Sequence, residues 1–247
     1  MSSLYSEIQK QTFSTYKEFE ENFEYKGERL YSIIFERNRD KIKVSKEKFA
    51  VRNLQKIFNA TFLISPRIGF EAMSLRDLSA ETGLSMGGLY SCISSKDTIV
   101  IIVKDVVAFI CEDIVKKSRE QNDPLEALRV LIKGYLYVST IMQPWFNFLY
   151  FETRCLPQAD QEESKNLELA QEAELERLIL KLSPDCHNLG FIATMALSMT
   201  QERYLKPWKY QHAEKTVDEY ADNCLQLIYR AVCLEEAVPC TLSLKKA

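Results

Sequence analysis

SLRDLSAETGLSMGGLYSCISSKD, residues 74–97, sets two adjacent glycines where the surrounding pattern asks for a helix. Ser74 suits a helix N-cap, and Asp77 falls three residues on, beside the exposed amides and the positive end of the dipole. Met73 and Leu78 have the spacing of a hydrophobic staple. Leu75, Leu78 and Thr82 line one side, and Gly83 fits the left-handed residue that ends the helix. Ser85 caps the next helix, with Leu84 and Leu89 as its staple, and that helix is short, about two turns ending near Ile93. Another opens at Ser94 or Ser95 and continues to about Glu120. A helix, a short turn containing Gly and a second short helix are the sequence form of a helix-turn-helix.

Each glycine inside a helix costs about 1 kcal/mol relative to alanine, so Gly87 and Gly88 need a reason. On a helical wheel Leu89, Cys92 and Ile93 share the inner face. Gly87 and Ser91 point the other way, flanked by Gly88 and Tyr90. That outward face is small, polar and uncharged, as required of a surface that lies deep in a DNA major groove. Tight packing against another helix is the structural alternative, and it suits Gly88 better than Gly87.

Outward from this stretch the pattern stays helical. Phe49, Leu54, Ile57, Phe58, Thr61 and Phe62 recur at helical spacing from about Ser45 to Ile64, with Pro66 and Gly69 as stops. Downstream, helices read at about 124–142, 145–155, 159–182, 188–205 and 213–235, separated by Pro124, Pro144, Pro157, SPD at 183–185 and Pro207. No segment alternates like a strand, so the expected class is all-α. VPCTLSLKKA, at the end, reads as a loose tail.

The net charge of the 247 residues is −3, with 46% hydrophobic and 27% charged residues, so any nucleic-acid signal must be local. Residues 26–56 supply one: ten Lys/Arg face four acids there. This reads either as a solvated helix face or as a basic arm on phosphate. The seven cysteines are scattered, with no CxxC, as expected for reduced thiols in a cytoplasmic protein. MSSLYSEIQKQ does not read as a signal peptide, and TIVIIVKDVVAFI is broken by Lys104 and Asp105, too short an apolar run to span a membrane.

The residues Gly69-Phe70, Ser74, Gly83-Leu84-Ser85, Gly87, Leu89-Tyr90 and Ser95-Lys96 together resemble the DNA-binding domain of TetR-family regulators. Ile57 and Ala60 fall in the same register, and the likeness covers about residues 46–106. Ile93 departs from it, standing where an aromatic residue is usual. The resemblance implies a TetR-like fold: an N-terminal three-helix DNA-binding domain with the helix-turn-helix, at 46–95, and a C-terminal helical effector-binding and dimerisation domain, at 96–247. Residues 1–45 then form an extension, basic in its second half and longer than the family's usual arm. The implied partners are a palindromic operator in double-stranded DNA, a second copy of the chain, and a small-molecule effector. No cofactor, metal or membrane is implied.

Candidate sites follow from this frame. Lys46, Lys48, Ser74, Arg76, Ser85, Met86, Gly87, Gly88, Tyr90, Ser91 and Lys96 are the expected DNA-contacting residues, with Tyr90 and Lys96 on phosphate. Without Arg, Lys, Asn or Gln on the outward face of the second helix, base reading falls to Met86 and the glycines on thymine methyls and, more, to Arg76 and residues of the basic arm. MQPWFNFLYFETR crowds rings into one short helix. Tyr135, Met142, Trp145, Phe148, Phe151, Met195, Arg203 and Trp208 are the candidate effector residues, for a hydrophobic molecule, with ordinary core as the competing reading. ERYLKPWKY resembles a stretch in family members that sense acyl-CoA thioesters, and places Arg203, Lys206 and Lys209 as phosphate partners. Leu189, Ala193, Ala196, Leu197, Leu227 and Ile228 are the candidate dimer residues. Enzyme chemistry is disfavoured: His187 and His212 lack partner spacing, and there is no phosphate-binding glycine loop. A lipid- or membrane-surface module using residues 26–56 is the alternative.

Overall fold

Two aromatic-rich turns open the described part of the chain. In a computed structural model, residues 13–152, 158–211 and 216–233 are described, and all regular structure among them is helical. The tail at 238–247, Cys155, Cys240 and His212 lie outside those ranges.

Helix α1 is Tyr16–Asn22 and α2 is Gly27–Arg37. Both lie in the stretch expected as an extension arm. Thr15 caps α1 by accepting from the Glu18 amide at 3.3 Å. Phe13, Phe19 and Phe23 are buried, as are Leu30, Tyr31, Ile34 and Phe35 of α2. The extension is therefore part of the core, and its three- and four-residue spacing of rings and aliphatics is the signal that marks it.

Helix α3, Glu47–Ile68, carries Pro66 inside its last turn and ends at Gly69, where φ is 82°. Proline removes one amide donor and the helix continues past it; the glycine conformation, which side chains disfavour, is what stops it. Helix α4, Leu75–Thr82, opens with a reciprocal cap: the Asp77 amide donates to Ser74 Oγ and the Ser74 amide to Asp77 Oδ2. Gly83 closes it in the left-handed region at φ 67°. Helix α5 is only Met86–Tyr90, shorter than its expected two turns, and continues as a tight turn through Cys92.

Helix α6, Asp97–Arg119, leads into the second half. There α7, Pro124–Ile141, is the central rod, buried on nearly every side. Around it stand α8 (Gln143–Glu152), α9 (Gln158–Leu182), α10 (Leu189–Leu205) and α12 (Val217–Cys233), with the short α11 (Trp208–Gln211) before the last. Helices α6 and α7 approach closely at Gly134, where a Cβ would stand 2.4 Å from the Ile114 methyl. Buried Glu174 of α9 joins α6 to α9: it accepts from Arg119 at 2.8 Å and Arg177 at 2.5 Å. Burial pushes its carboxyl up, and the two guanidinium groups outweigh that and hold it below its ordinary value.

Candidate DNA interface and effector cavity

Local chemistry builds the helix-turn-helix. Thr82 Oγ1 donates to the Leu78 carbonyl at 2.6 Å and accepts from the Leu84 amide at 3.2 Å. Ser79 Oγ donates to the Leu84 carbonyl at 2.6 Å, so the turn between α4 and α5 is held from both sides. Ser85 caps α5 by accepting from the Gly88 amide at 3.1 Å. Leu78, Leu89, Cys92 and Ile93 are fully buried beneath.

The glycine face points outward. A Cβ at Gly87 would meet nothing nearer than Ser85 Oγ at 4.0 Å, and at Gly88 it would meet only the residues of its own turn. Neither glycine is packed against another helix. Gly87, Ser85, Arg76 and Tyr90 are exposed, as are Lys46 and Lys48 at the start of α3, while Met86 is half-buried. Ser74 is also exposed, but its hydroxyl is engaged with Asp77 at 2.7 Å.

Two expected DNA contacts have other partners. The Lys96 ammonium donates to the Phe70 and Glu71 carbonyls at 2.8 and 2.6 Å and lies over the Phe70 ring. It ties the start of α6 to the loop after α3. Ser91 Oγ donates back to the Gly88 carbonyl at 2.6 Å, and its own carbonyl accepts from the Lys43 and Val44 amides at 2.8 and 3.1 Å. The basic segment is likewise partly spent: Arg37 makes a two-point ion pair with Asp105 at 2.6 and 2.8 Å and lies over Phe109. Arg39 lies over Phe35.

The second half holds a partly open cavity of about 210 Å³ between α6, α7, α8, α9 and α10. Val107, Phe146, Leu149 and Leu197 give it apolar walls, and Tyr135, Ser139 and Thr200 give it polar points. Cys111 also faces it, and burial pushes that thiol up to about 12, so it stays neutral at physiological pH. Among the described residues, Tyr135 Oη is buried without a hydrogen-bond partner. Burial also raises its pKa well above the ordinary tyrosine value, so it is present as a donor.

Of the expected effector residues, Tyr135 lines this cavity. Trp145 and Phe148 do not. They turn to the other side of α8 and pack on the first half of the chain: Trp145 stacks on Phe58 at 5.0 Å and meets Phe62 edge-on at 5.0 Å, while Phe148 meets Phe70 at 5.0 Å. Met142 is buried at the end of α7. Phe151 and Trp208 are exposed, Trp208 at 61%. Arg203 lines a separate hollow with Gln143 and Tyr210, its guanidinium beside the edge-to-face pair of Tyr210 and Tyr220. Phe146 and Tyr150, rings of the crowded helix, do line the cavity, whereas Leu149 and Tyr204 carry no such mark in the sequence. Phe146 and Leu149 sit three apart on α8, but which face meets the cavity is set by α3 on the other side.

The expected dimer residues also divide. Ala193, Ala196, Leu197 and Ile228 are buried within the chain itself, and Leu189 is half-buried. Small residues on α10 serve its packing on α7 and α9. Leu227 is 58% exposed. Phe191 is 70% exposed and Met195, expected at the effector, is exposed beside it on α10. Among the described residues, no helix is long and apolar enough to cross a membrane, and no group of three acids, histidines or cysteines is set to hold a metal ion.

No family model and no curated protein matches the chain. Solved structures do. The TetR-family transcriptional regulator PfmR of Thermus thermophilus is 21% identical with a TM-score of 0.61, over 70% of this chain and 97% of that one. A tetR-family regulatory protein of Rhodococcus RHA1 is 14% identical with a TM-score of 0.64, over 73% and 96%. AibR, solved with isovaleryl coenzyme A and operator DNA, is 16% identical with a TM-score of 0.61, over 71% and 97%. At these identities what is shared is the fold, spanning nearly the whole of each of those proteins.

Proposed function

We propose that this chain, which has the fold of the TetR-family regulators, is a ligand-responsive DNA-binding regulator, probing its operator through α4 and α5. The observation that carries this reading is the open glycine face of α5, with no side chain to hold the backbone off a groove. The domain division at 46–95 and 96–247 is part of the same proposal. So is a cytoplasmic homodimer on a palindromic operator, since a two-fold protein matches a two-fold site. Phe191, Met195 and Leu227, apolar and exposed on α10 and α12, are the surface that a second copy would cover.

The effector in this reading is a hydrophobic small molecule in the cavity beside Tyr135. An acyl-CoA or fatty-acid-like molecule suits it: the carbon chain meets Val107, Phe146 and Leu149, and a carbonyl accepts from the Tyr135 hydroxyl. Likeness to AibR supports this class. The position of α8 supplies a route for the response. One side of α8 lines the cavity and the other packs on Phe58, Phe62 and Phe70. An occupant that shifts α8 therefore shifts the reading head, which is how a ligand changes DNA affinity without touching DNA.

A gel-shift titration on the DNA upstream of the protein's own gene, repeated with isovaleryl-CoA and longer acyl-CoAs, tests the proposal. A sequence-dependent shift that an acyl-CoA changes supports it. Equal, weak binding to every fragment refutes it.

A further inference from the structure

We propose that residues 13–44 are a strap that positions the recognition helix and ties it to the effector-binding half; the functional weight of this rests on α4 and α5 being the DNA-reading unit. The need for such a strap is local. Helix α5 has five residues, two of them glycine, so it has little stability of its own. Its last carbonyls need donors from elsewhere. The extended chain after α2 provides them: the Lys43 and Val44 amides both donate to the Ser91 carbonyl, at 2.8 and 3.1 Å.

From that point the strap is fastened along its length. Ile42 and Asn38 are buried. Arg37 is paired to Asp105 of α6 by two hydrogen bonds, and α2 packs its apolar face on α3. Tyr25 meets Phe109 of α6 edge-on at 5.6 Å. At its far end the strap grips α7 and α12. Phe13, Tyr16 and Phe19 surround the Tyr137 ring at 5.5–5.7 Å. The Tyr16 amide donates to Asp218 Oδ1 at 2.9 Å, the same carboxylate that accepts from the Tyr137 hydroxyl. Arg129 and Lys133 of α7 donate to the Phe13 and Ser14 carbonyls at 3.0 and 3.1 Å.

Helix α7 also carries Tyr135 and Ser139 into the cavity. One covalent segment thus runs from the cavity's central helix to the carbonyl at the end of α5. It forms a further connection between the halves, separate from the one through α8 and from the passage of the chain through α6. Val44 and Lys43 are positioning residues in this scheme, acting through the Ser91 carbonyl.

Amide hydrogen exchange on the full-length protein, without DNA or effector, tests the strap independently of any operator. Val44→Pro deletes one of the two amide donors. Amides at 89–93 should then exchange about tenfold faster, while those of α9 and α10 keep their rates. Arg37→Met, which cuts a partly exposed pair in mid-strap, should raise exchange at 89–93 in the same pattern by a smaller factor. If Val44→Pro unfolds the whole chain, the Arg37→Met variant decides. Unchanged exchange at 89–93 in that variant, or a rise spread evenly over all helices, overturns the proposal. Absence of operator binding by the unaltered protein would instead remove the regulatory reading and leave the exchange result standing.

Discussion

Gly87 shows how far a single position can be argued. Its helix propensity is poor, and a Cβ there would enter open space. Gly87→Ala should therefore raise stability by roughly 0.5–1 kcal/mol, read as a higher denaturation midpoint. The same change should lower operator affinity if the backbone must approach the groove. Gly87→Glu should abolish operator binding with the circular dichroism spectrum unchanged, since a long anion would meet phosphate and base edges. Normal operator affinity in the glutamate variant would refute the face assignment. The outward placement of Gly87 was legible in the sequence because a wheel needs only local spacing. Lys96 was not. Its ammonium is held by the Phe70 and Glu71 carbonyls, twenty-five residues and more away in sequence, and no periodicity reports such a partner.

At the scale of elements, the caps and stops at Ser74, Gly83 and Ser85 placed both ends of α4 and the start of α5, because caps are local chemistry, while the end of α5, expected near Ile93, falls at Tyr90. The ring-rich α8 was equally visible, but its division of labour was not. Amphipathic periodicity marks one buried face, and α8 buries two, against the cavity and against α3. Phe148→Ala should accordingly cost roughly 3–5 kcal/mol in chemical denaturation, as a core ring deletion. The sequence left core packing and effector binding as rival readings for Phe148, and a selective loss of ligand affinity without destabilisation would restore the second. Tyr135→Phe is the complementary variant. It removes a buried hydroxyl without a partner, so stability should hold or rise, while affinity for an acyl-CoA should fall by about tenfold with the loss of one hydrogen bond. Calorimetric titration of the two variants separates the cavity wall on α7 from the packing side of α8. A Tyr135→Phe protein that binds acyl-CoA as tightly as the parent would place the ligand's carbonyl elsewhere.

Across the whole molecule, the halves were readable but their joins were not, since long-range pairing of helix faces leaves no local mark. The basic segment at 26–56 is the clearest case. As sequence it read either as a solvated helix face or as a basic arm on phosphate, and deleting residues 1–44 is the obvious experiment to decide between them. In the fold that deletion would strip Phe13, Phe19, Phe23, Leu30, Ile34 and Phe35 from the core. At about 1.5 kcal/mol each or more, their loss amounts to roughly 9 kcal/mol, comparable with the whole stability of a domain. The truncated chain should fail to fold, and its salt dependence would carry no information. Charge changes alone can answer the question. Lys46 and Lys48 are exposed at the start of α3, on the DNA-binding half, whereas Arg37 is held by Asp105. Each phosphate contact contributes about −0.9 to the slope of log K against log salt. Lys46→Ala and Lys48→Ala together remove two contacts per protomer, four in the proposed homodimer, and should make that slope shallower by about 3.6, and weaken specific and nonspecific DNA alike. Arg37→Met should leave the slope unchanged even where it loosens α5, because that guanidinium is already neutralised within the protein. A slope that falls with Arg37 and not with the two lysines would move the phosphate-binding surface from the start of α3 to the strap.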